Sequence, residues 1–397
     1  MVKNTGGSIA GPQDRGTRRF QASVGQAAAA AGVRQNAAVP FEFSERIRRL
    51  PSYPAAGGYA DAAPRVRLAS NESPWPPLPA VIAAIERSLG SLNRYPDPSS
   101  SVLRQRISER YGVPAEQIAI GNGSCDILLA AGEALLEPGA ELVHAWPSFS
   151  IYPHLSAASG ARAVTVALDD RDRHDLQAML REITVATRLA IVCNPNNPTS
   201  TALPLAEIAQ FLGEVPPHVC VVIDEAYCEF NLLEDPDASV ELLAEHPQLV
   251  LLRTFSKVYG LCGLRVGFAL CGSPELPRAF DQVRQPFFCN AVAQAAAAEA
   301  LAHQDAVTDR VTRTIAERIA MDERLRALGL RPAESQANFC WFGVGEDRNE
   351  QQVMRGLLER GVLVRGGGAL GREGALRVTY GTPEENAIFL DALAEVL

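Results

Sequence analysis

The sequence contains almost no lysine. Of its 37 basic residues only Lys3 and Lys257 are lysine, and the remaining 35 are arginine. Arginine supplies surface charge and ion pairs as well as lysine does, but its guanidinium cannot become a neutral amine nucleophile. Lys257 is the one lysine beyond the first few residues of a chain that otherwise uses arginine, and it is therefore a candidate nucleophile.

Other absences exclude whole classes of protein. The net charge is −9, whereas a nucleic-acid binder normally shows a basic face. No apolar run approaches the roughly 20 residues that span a bilayer, and the N-terminus lacks the apolar core of a secretory signal. The eight cysteines form no CxxC and no zinc-like pairing with the six histidines, which is typical of buried thiols in a reducing compartment. We predict a cytoplasmic protein that binds no nucleic acid, membrane or metal.

The length of 397 residues favours two packed subdomains. Residues 1–42 are rich in Gly, Ala, Gln and Ser, which indicates a disordered tail, with an organelle transit peptide as the alternative. The remaining segments are predicted as an N-terminal arm with part of a small domain (43–93), a large domain (94–300) and a C-terminal small domain (301–397).

Apolar strand-like runs alternate with helix-length segments, and this pattern predicts an α/β fold. The large domain should hold a mostly parallel sheet flanked by helices, and the smaller domain should be α+β. Ligands of such sheets bind beyond the carboxyl ends of the strands. Six runs read as strands of the large sheet: 141–145, 163–168, 189–193, 219–223, 249–253 and 266–270.

Lys257 lies directly after one of these strands, in the segment 254–265, TFSKVYGLCGLR. Burial there would lower the pKa of its amine and free it to form an imine. Gly260 and Gly263 permit close approach of the backbone to a ligand. Arg265 could bind a phosphate through its guanidinium fork, aided by the Ser256 hydroxyl.

The pattern SKxxGLxGLR resembles the lysine motif of fold-type I pyridoxal 5'-phosphate (PLP) aminotransferases, and especially of the histidinol-phosphate aminotransferase family. The resemblance extends from about Tyr53 to the C-terminus. It implies a class I/II aminotransferase (transaminase) with the fold-type I architecture, and PLP held as an imine on Lys257.

The resemblance assigns three side chains to the cofactor ring. Asp224, in the motif DEAY at the end of an apolar strand, would pair with the pyridinium nitrogen. Tyr227 and Asn197 would hydrogen-bond the phenolic oxygen. Taken alone, Asp224 would more readily be interpreted as a cap of the next turn, and the Pro- and Asn-rich segment 194–199 could be an ordinary turn.

The cofactor phosphate is expected at the start of a helix. Ser124 and Cys125 would bind it through their main-chain amides, since helix N-termini bind phosphate. A dinucleotide-binding loop is the competing interpretation, but its third glycine is absent. Phe149 would stack on the ring or else pack in the core. The remaining expected contacts are Thr254, Ser256, Arg265 and, from the other subunit of a homodimer with shared active sites, Tyr95.

Two arginines near the C-terminus are predicted to bind substrate. Arg377 interrupts an apolar strand, where a charge would be costly without a counterion, and the resemblance gives it the substrate α-carboxylate. Arg365 resembles the residue that reaches a distal phosphate, with a structural salt bridge as the alternative. Tyr53 and Asn71 match family positions near the substrate mouth.

The reaction favoured by these residues transfers the amino group of L-histidinol phosphate to 2-oxoglutarate, giving imidazole acetol phosphate and L-glutamate in histidine biosynthesis. Lys257 would act as general base and then acid. An aminotransferase for phenylalanine or another aromatic amino acid would use the same machinery, and a phosphothreonine decarboxylase would share the fold. A PLP-sensing regulator would need a DNA-binding domain, for which a 42-residue tail is too short.

Overall fold

The computed structural model describes Met1, residues 41–44, Ile47, Leu50 and residues 64–397. The chain divides between Glu45 and Arg46 into two units, and the strands and α-helices of the described residues belong to the second. Tyr53 lies outside the described residues, as does the predicted tail apart from its first residue and residues 41–42.

The strands of the described residues are numbered in chain order. They are β1 (Val66–Arg67), β2 (Ile118–Gly121), β3 (Glu141–Trp146), β4 (Arg162–Ala167), β5 (Thr187–Cys193), β6 (Cys220–Asp224), β7 (Leu249–Thr254), β8 (Gly267–Cys271), β9 (Phe339–Gly343), β10 (Val362–Leu363), β11 (Arg365–Gly366) and β12 (Ala375–Thr379).

The α-helices of the same residues are numbered likewise. They are α1 (Pro79–Leu89), α2 (Ser101–Tyr111), α3 (Ser124–Leu135), α4 (Tyr152–Ser159), α5 (Leu176–Glu182), α6 (Leu205–Glu214), α7 (Glu275–Val283), α8 (Ala291–Ala300), α9 (Gln304–Ala327), α10 (Glu350–Glu359) and α11 (Pro383–Val396).

A seven-stranded sheet has the spatial order β2-β8-β7-β6-β5-β3-β4. Strands β3 to β7 run parallel to their neighbours in that group, and β8 runs antiparallel to both β7 and β2. The predicted α/β class with a mostly parallel sheet is confirmed, and each of the six predicted strands forms. The sequence did not reveal β2, because four residues, IAIG, are too few to show a period.

Both faces of this sheet are buried, and β6 shows how. Val221 and Ile223 join an apolar cluster that also contains Phe211 of α6. The alternate residues Cys220 and Val222 belong to a separate cluster on the other face. Burying one such side chain contributes about 1.5–3 kcal/mol, so a run that is apolar at every position fits a strand covered by helices on both sides.

Two smaller sheets form a second body of structure with the C-terminal helices. Strands β1 and β10 pair in parallel, with Val66 opposite Val362, and β11, β12 and β9 form an antiparallel sheet. A third apolar cluster joins these strands to α9, α10 and α11, with Phe342 and Phe389 at its centre. The predicted domain limits at residues 42, 93 and 300 stay a prediction.

Within the described residues, no helix combines the length and the apolar character that crossing a bilayer requires. The same residues contain no group of three or more His, Cys, Asp or Glu side chains arranged to hold a metal ion.

Candidate active site

A cavity of about 510 Å³ opens at the carboxyl ends of the parallel strands. Thirteen of the fifteen predicted site residues line it: Asn71, Ser124, Cys125, Phe149, Asn197, Asp224, Tyr227, Thr254, Ser256, Lys257, Arg265, Arg365 and Arg377. A larger cavity of about 860 Å³ lies elsewhere, beside Trp341 and Arg348, and it is lined by none of the predicted site residues that the structure describes. The predicted site residues therefore identify the smaller cavity as the candidate active site.

Lys257 lies three residues beyond the end of β7, partly buried, with its Nζ 3.3 Å from the carbonyl oxygen of Ser70. Burial, and secondly repulsion from Arg377, lower the pKa of Lys257 from 10.5 to about 8. Its amine therefore exists partly in the neutral, nucleophilic form near neutral pH, as the sequence predicted for a desolvated lysine.

Asp224 is the last residue of β6 and is 3% exposed. Tyr152 donates a hydrogen bond of 2.8 Å to its Oδ2, and the amide of Ala226 donates one of 3.3 Å to Oδ1. Burial raises the pKa of Asp224 to about 6, and the bond from Tyr152 opposes that rise. A cation beside this carboxylate would favour its ionised form.

Tyr152 was not predicted from the sequence. It begins α4, is fully buried, and its hydroxyl holds the carboxylate of Asp224 in place. The two residues are 72 positions apart, and no local pattern connects them. Only the strand order, which places β3 and its following helix near β6, brings them together.

Tyr227 and Asn197 are linked to substrate-side residues by hydrogen bonds. Asn71 donates from Nδ2 to the Tyr227 hydroxyl at 3.0 Å. Arg377 donates from Nη1 to Asn197 Oδ1 at 2.7 Å and from Nη2 to the carbonyl of Ala69 at 2.6 Å. Because Asn197 accepts through Oδ1, its Nδ2 is the group that remains to donate to a ligand.

A glycine-lined cradle lies at the N-terminus of α3. Gly123 is its N-cap, with φ +82°, and a Cβ there would lie 2.4 Å from Nη2 of Arg265. A Cβ on Gly267 would lie 2.5 Å from the amide nitrogen of Ser124. The first amides of a helix have no partner within the helix, so they and the Arg265 guanidinium converge on one place suited to an anion.

Two hydroxyls complete the cradle. Thr254 donates to Ser256 Oγ at 2.9 Å and accepts from the Ser256 amide at 3.0 Å. This short turn after β7 fixes the direction of the Ser256 side chain and positions Lys257 next to it. The donors around the cradle are therefore amides, a guanidinium and a hydroxyl, which is the set that binds phosphate.

Arg365 and Arg377 lie opposite each other across the antiparallel pair β11–β12. Both are 7% exposed and both line the cavity. Like charges opposite each other on a sheet are unfavourable, and buried charge is costly. An anionic ligand in the cavity would offset both penalties, which favours the predicted role of these arginines in substrate binding.

Tyr95 does not line the cavity. It is 80% exposed, and its ring stacks on that of Phe287 with centroids 4.4 Å apart. Of the fifteen predicted site residues it is the one that the structure describes and places away from the rest. The prediction gave it to the neighbouring subunit's site, so its position outside this chain's own cavity agrees with that role.

The arrangement of a buried carboxylate, a desolvated lysine and a phosphate cradle beyond the strands of this sheet defines a PLP enzyme of fold type I. A model of aminotransferases of class I and II matches residues 63–393. The chain belongs to this family and is a PLP-dependent aminotransferase.

Related proteins carry two different names. The chain is 42% identical over 350 residues to an aromatic amino acid aminotransferase of Streptomyces coelicolor, covering 88% of this chain and 96% of that protein. It is 40% identical over 363 residues to a histidinol-phosphate aminotransferase of Geobacillus thermodenitrificans, covering 90% and 98%. A crystal structure of histidinol-phosphate aminotransferase from Sinorhizobium meliloti with PLP superposes with TM-score 0.82 at 30% identity, covering 89% and 97%.

The residues of the cavity fit PLP. Gly123 and Gly267 let the Arg265 guanidinium and the Ser124 amide pack closely against the backbone, since a Cβ at either position would collide with these donors. Asp224 and Lys257 both line the cavity, where Asp224 would face the ring nitrogen and Lys257 would provide the amine for the aldehyde. The structure therefore offers a matching group for each reactive part of the cofactor.

Proposed function

We propose that this protein transfers an amino group from an aromatic amino acid to 2-oxoglutarate. The observation that carries the proposal is the position of Arg365 and Arg377. These two residues lie opposite each other across the β11–β12 pair, and both line the cavity that contains Lys257. Two fixed guanidinium groups suit the two carboxylates of 2-oxoglutarate. The donor would use Arg377 alone, through its α-carboxylate.

The roles of the residues follow from their chemistry. When bound, PLP supplies a protonated ring that accepts the electron pair of the broken Cα–H bond. Asp224 would pair with the ring nitrogen as an anion, and Tyr227 and Asn197 would donate hydrogen bonds to the phenolic oxygen. The amine of Lys257 takes the proton from the substrate Cα as a general base and later donates a proton as a general acid. Its pKa of about 8 suits both roles.

The choice of donor departs from histidinol phosphate, which the sequence alone favoured. Relatives named as aromatic amino acid aminotransferases match the chain at 39–43% identity, and relatives named for histidinol phosphate at 40–41%. Histidinol phosphate is retained as a second candidate, because Arg365 and Arg377 together could hold one phosphate dianion.

Half-reaction spectra distinguish the donors. Purified protein loaded with PLP is mixed with L-phenylalanine or L-histidinol phosphate, without 2-oxoglutarate. We expect phenylalanine to bleach the absorbance of the lysine-bound cofactor, and 2-oxoglutarate to restore it with release of L-glutamate. Bleaching by histidinol phosphate alone would select the second candidate. Carbon dioxide release from phosphothreonine, with no need of 2-oxoglutarate, would instead identify a decarboxylase.

A homodimer with shared active sites is part of the proposal. Tyr95 and Phe287 form an exposed aromatic pair, and Leu89, Leu92 and Val102 are exposed as well. Exposed apolar side chains of this kind are typical of an interface. In the dimer Tyr95 would reach the cofactor phosphate of the other subunit. Sedimentation of the loaded protein as a monomer would contradict this arrangement.

A cytoplasmic location belongs to the same proposal. All eight cysteines are free thiols in the structure. Disulfides are rare in reducing compartments, so this state suits the cytoplasm.

A further inference from the structure

Residues 366–374, which we call the arginine loop, join the two substrate arginines. Arg365 directly precedes the loop, and Arg377 follows it by three residues. Leu370, within the loop, lines the same cavity as Lys257. The loop therefore connects the two strands that carry both guanidinium groups, and it borders the cofactor site.

One side of the arginine loop is held by α10. The carboxylate of Glu350, at the start of that helix and 7% exposed, accepts hydrogen bonds from the amide of Gly368 at 3.1 Å and from that of Gly374 at 2.7 Å. Both ends of the loop are thus tied to the C-terminal body of the structure.

The other side of the arginine loop touches the large sheet. Gly371, with φ +100°, lies flat against the indole of Trp146 at the end of β3, and a Cβ would come within 2.6 Å of Cε2. Arg372 forms a two-pronged ion pair with Asp172, at 2.7 Å to Oδ2 and 2.5 Å to Oδ1. Two adjacent residues therefore dock the loop onto the sheet.

Asp172 also holds the turn that carries Asn197. Its carbonyl oxygen accepts from Thr199 Oγ1 at 2.9 Å and from Thr201 Oγ1 at 2.6 Å. Its backbone is left-handed, with φ +61°, a conformation that Asp and Asn tolerate better than most residues. Asp169 stabilises the surrounding turn by accepting from the amide of Arg173 at 2.8 Å.

Asp172 thus contacts both halves of the substrate site, with its side chain on the arginine loop and its carbonyl on the Asn197 turn. We propose that Asp172 and Arg372 are positioning residues that, together with the direct 2.7 Å hydrogen bond from Arg377 to Asn197, set the spacing between Asn197 and the Arg365–Arg377 pair. The inference rests on the proposed function, because it takes those arginines as the binders of substrate carboxylates.

The Arg372–Asp172 pair is partly exposed, with side-chain exposures of 39% and 27%, and such ion pairs add little to global stability. Its loss should therefore change substrate binding while the fold persists. Because the chemical step depends on Lys257, loss of the Arg372–Asp172 ion pair should raise the KM and leave kcat almost unchanged.

The test is a double-mutant cycle with Asp172→Asn and Arg372→Gln in the PLP-loaded protein. Asparagine keeps the carbonyl and tolerates the left-handed backbone. We expect each variant to raise the KM for 2-oxoglutarate by about tenfold, with kcat within about twofold, and the double variant to be no worse than either single one. Hydrogen exchange of residues 366–374 should become faster in all three variants.

Arg360→Gln is the matched control, because it breaks a partly exposed ion pair, Arg360–Glu395 at 2.8 Å, in the same part of the structure. An unchanged KM in the Asp172 and Arg372 variants, additive losses in the cycle, or an equal effect of the control would overturn the inference.

The failure of the proposed function would look different. If wild-type protein fails to use 2-oxoglutarate, the proposed acceptor is wrong. The exchange rates of the arginine loop in the variants and the control then still decide whether Asp172 holds it.

Discussion

Tyr152 donates a 2.8 Å hydrogen bond to Asp224, the buried acid at the end of β6. Tyr152 is fully buried, and the bond favours the ionised carboxylate against a burial penalty that raises the pKa of Asp224 to about 6. The two side chains form a unit in which one residue sets the charge of the other.

Replacing Tyr152 by Phe should raise the pKa of Asp224 further, because the charged form loses a donor. A group with a higher pKa becomes ionised only at higher pH, so the acid limb of the kcat/KM profile should move up by about one pH unit. Unfolding free energy should fall by about 1–3 kcal/mol. The control is Tyr111→Phe, on the other side of the sheet, which should leave the acid limb in place. An unmoved acid limb in Tyr152→Phe would refute the coupling between Tyr152 and Asp224.

Replacing Lys257 by Met should stabilise the protein without PLP. The folded-state pKa of about 8 lies below the ordinary 10.5, so folding disfavours the protonated amine. The penalty is fully present below pH 8 and disappears above pH 10.5, where the amine is neutral in both states. With allowance for partial exposure, urea unfolding at pH 7 should show a gain of about 1–2 kcal/mol that shrinks towards pH 10.

The only other lysine provides the control for that measurement. Lys3→Met should leave the unfolding free energy unchanged at both pH values. A gain for Lys257→Met that is equal at pH 7 and pH 10 would mean that the lost charge is not its cause.

Replacing Gly123 by Ala should damage the phosphate cradle. The new Cβ would lie 2.4 Å from Arg265 Nη2, so the guanidinium must leave its position. We expect the dissociation constant for PLP to rise by at least about tenfold, equivalent to the loss of one charge-assisted hydrogen bond. Gly329→Ala likewise places an alanine at a positive φ, +80°, but with no atom within 4 Å, and should bind PLP normally. Equal PLP binding by the two variants would contradict the cradle.

Replacing Arg365 by Gln should separate the two substrates. The KM for 2-oxoglutarate should rise by about 10- to 100-fold, since one charged contact to its distal carboxylate is lost. The KM for phenylalanine, which needs Arg377 alone, should change little. Steady-state kinetics with each substrate varied in turn provide the measurement. The control is Arg331→Gln, at the larger cavity of about 860 Å³. A parallel rise for both substrates would place Arg365 elsewhere in the mechanism.

The sequence predicted the parts of the site that follow strands. Lys257, Asp224 and Asn197 each lie within four residues after an apolar run, and the carboxyl ends of parallel strands meet at one edge of the sheet. The short strand β2 escaped notice because four residues show no period. Burial of Lys257 was expected from the apolar run before it, and the direction of its pKa shift follows from that burial.

Contacts between distant residues could not be predicted in this way. Tyr152 meets Asp224 across 72 positions, and Arg372 meets Asp172 across 200. Such pairs depend on strand order and on how the loops of two sheets approach each other, which a single sequence does not encode in any local pattern. The resemblance to a known family supplied residue roles but no partner for these positioning residues.

The proposed chemistry depends most on a covalent bond between PLP and Lys257. Borohydride reduction of the loaded protein followed by trypsin tests it directly, because Arg253 and Arg265 flank a peptide, 254–265, in which Lys257 is the sole lysine. We expect a pyridoxyl group on that peptide and none on the peptide that contains Lys3. Because trypsin also cuts after an unmodified lysine, recovery of the separate peptides 254–257 and 258–265 from fully loaded protein would contradict the account.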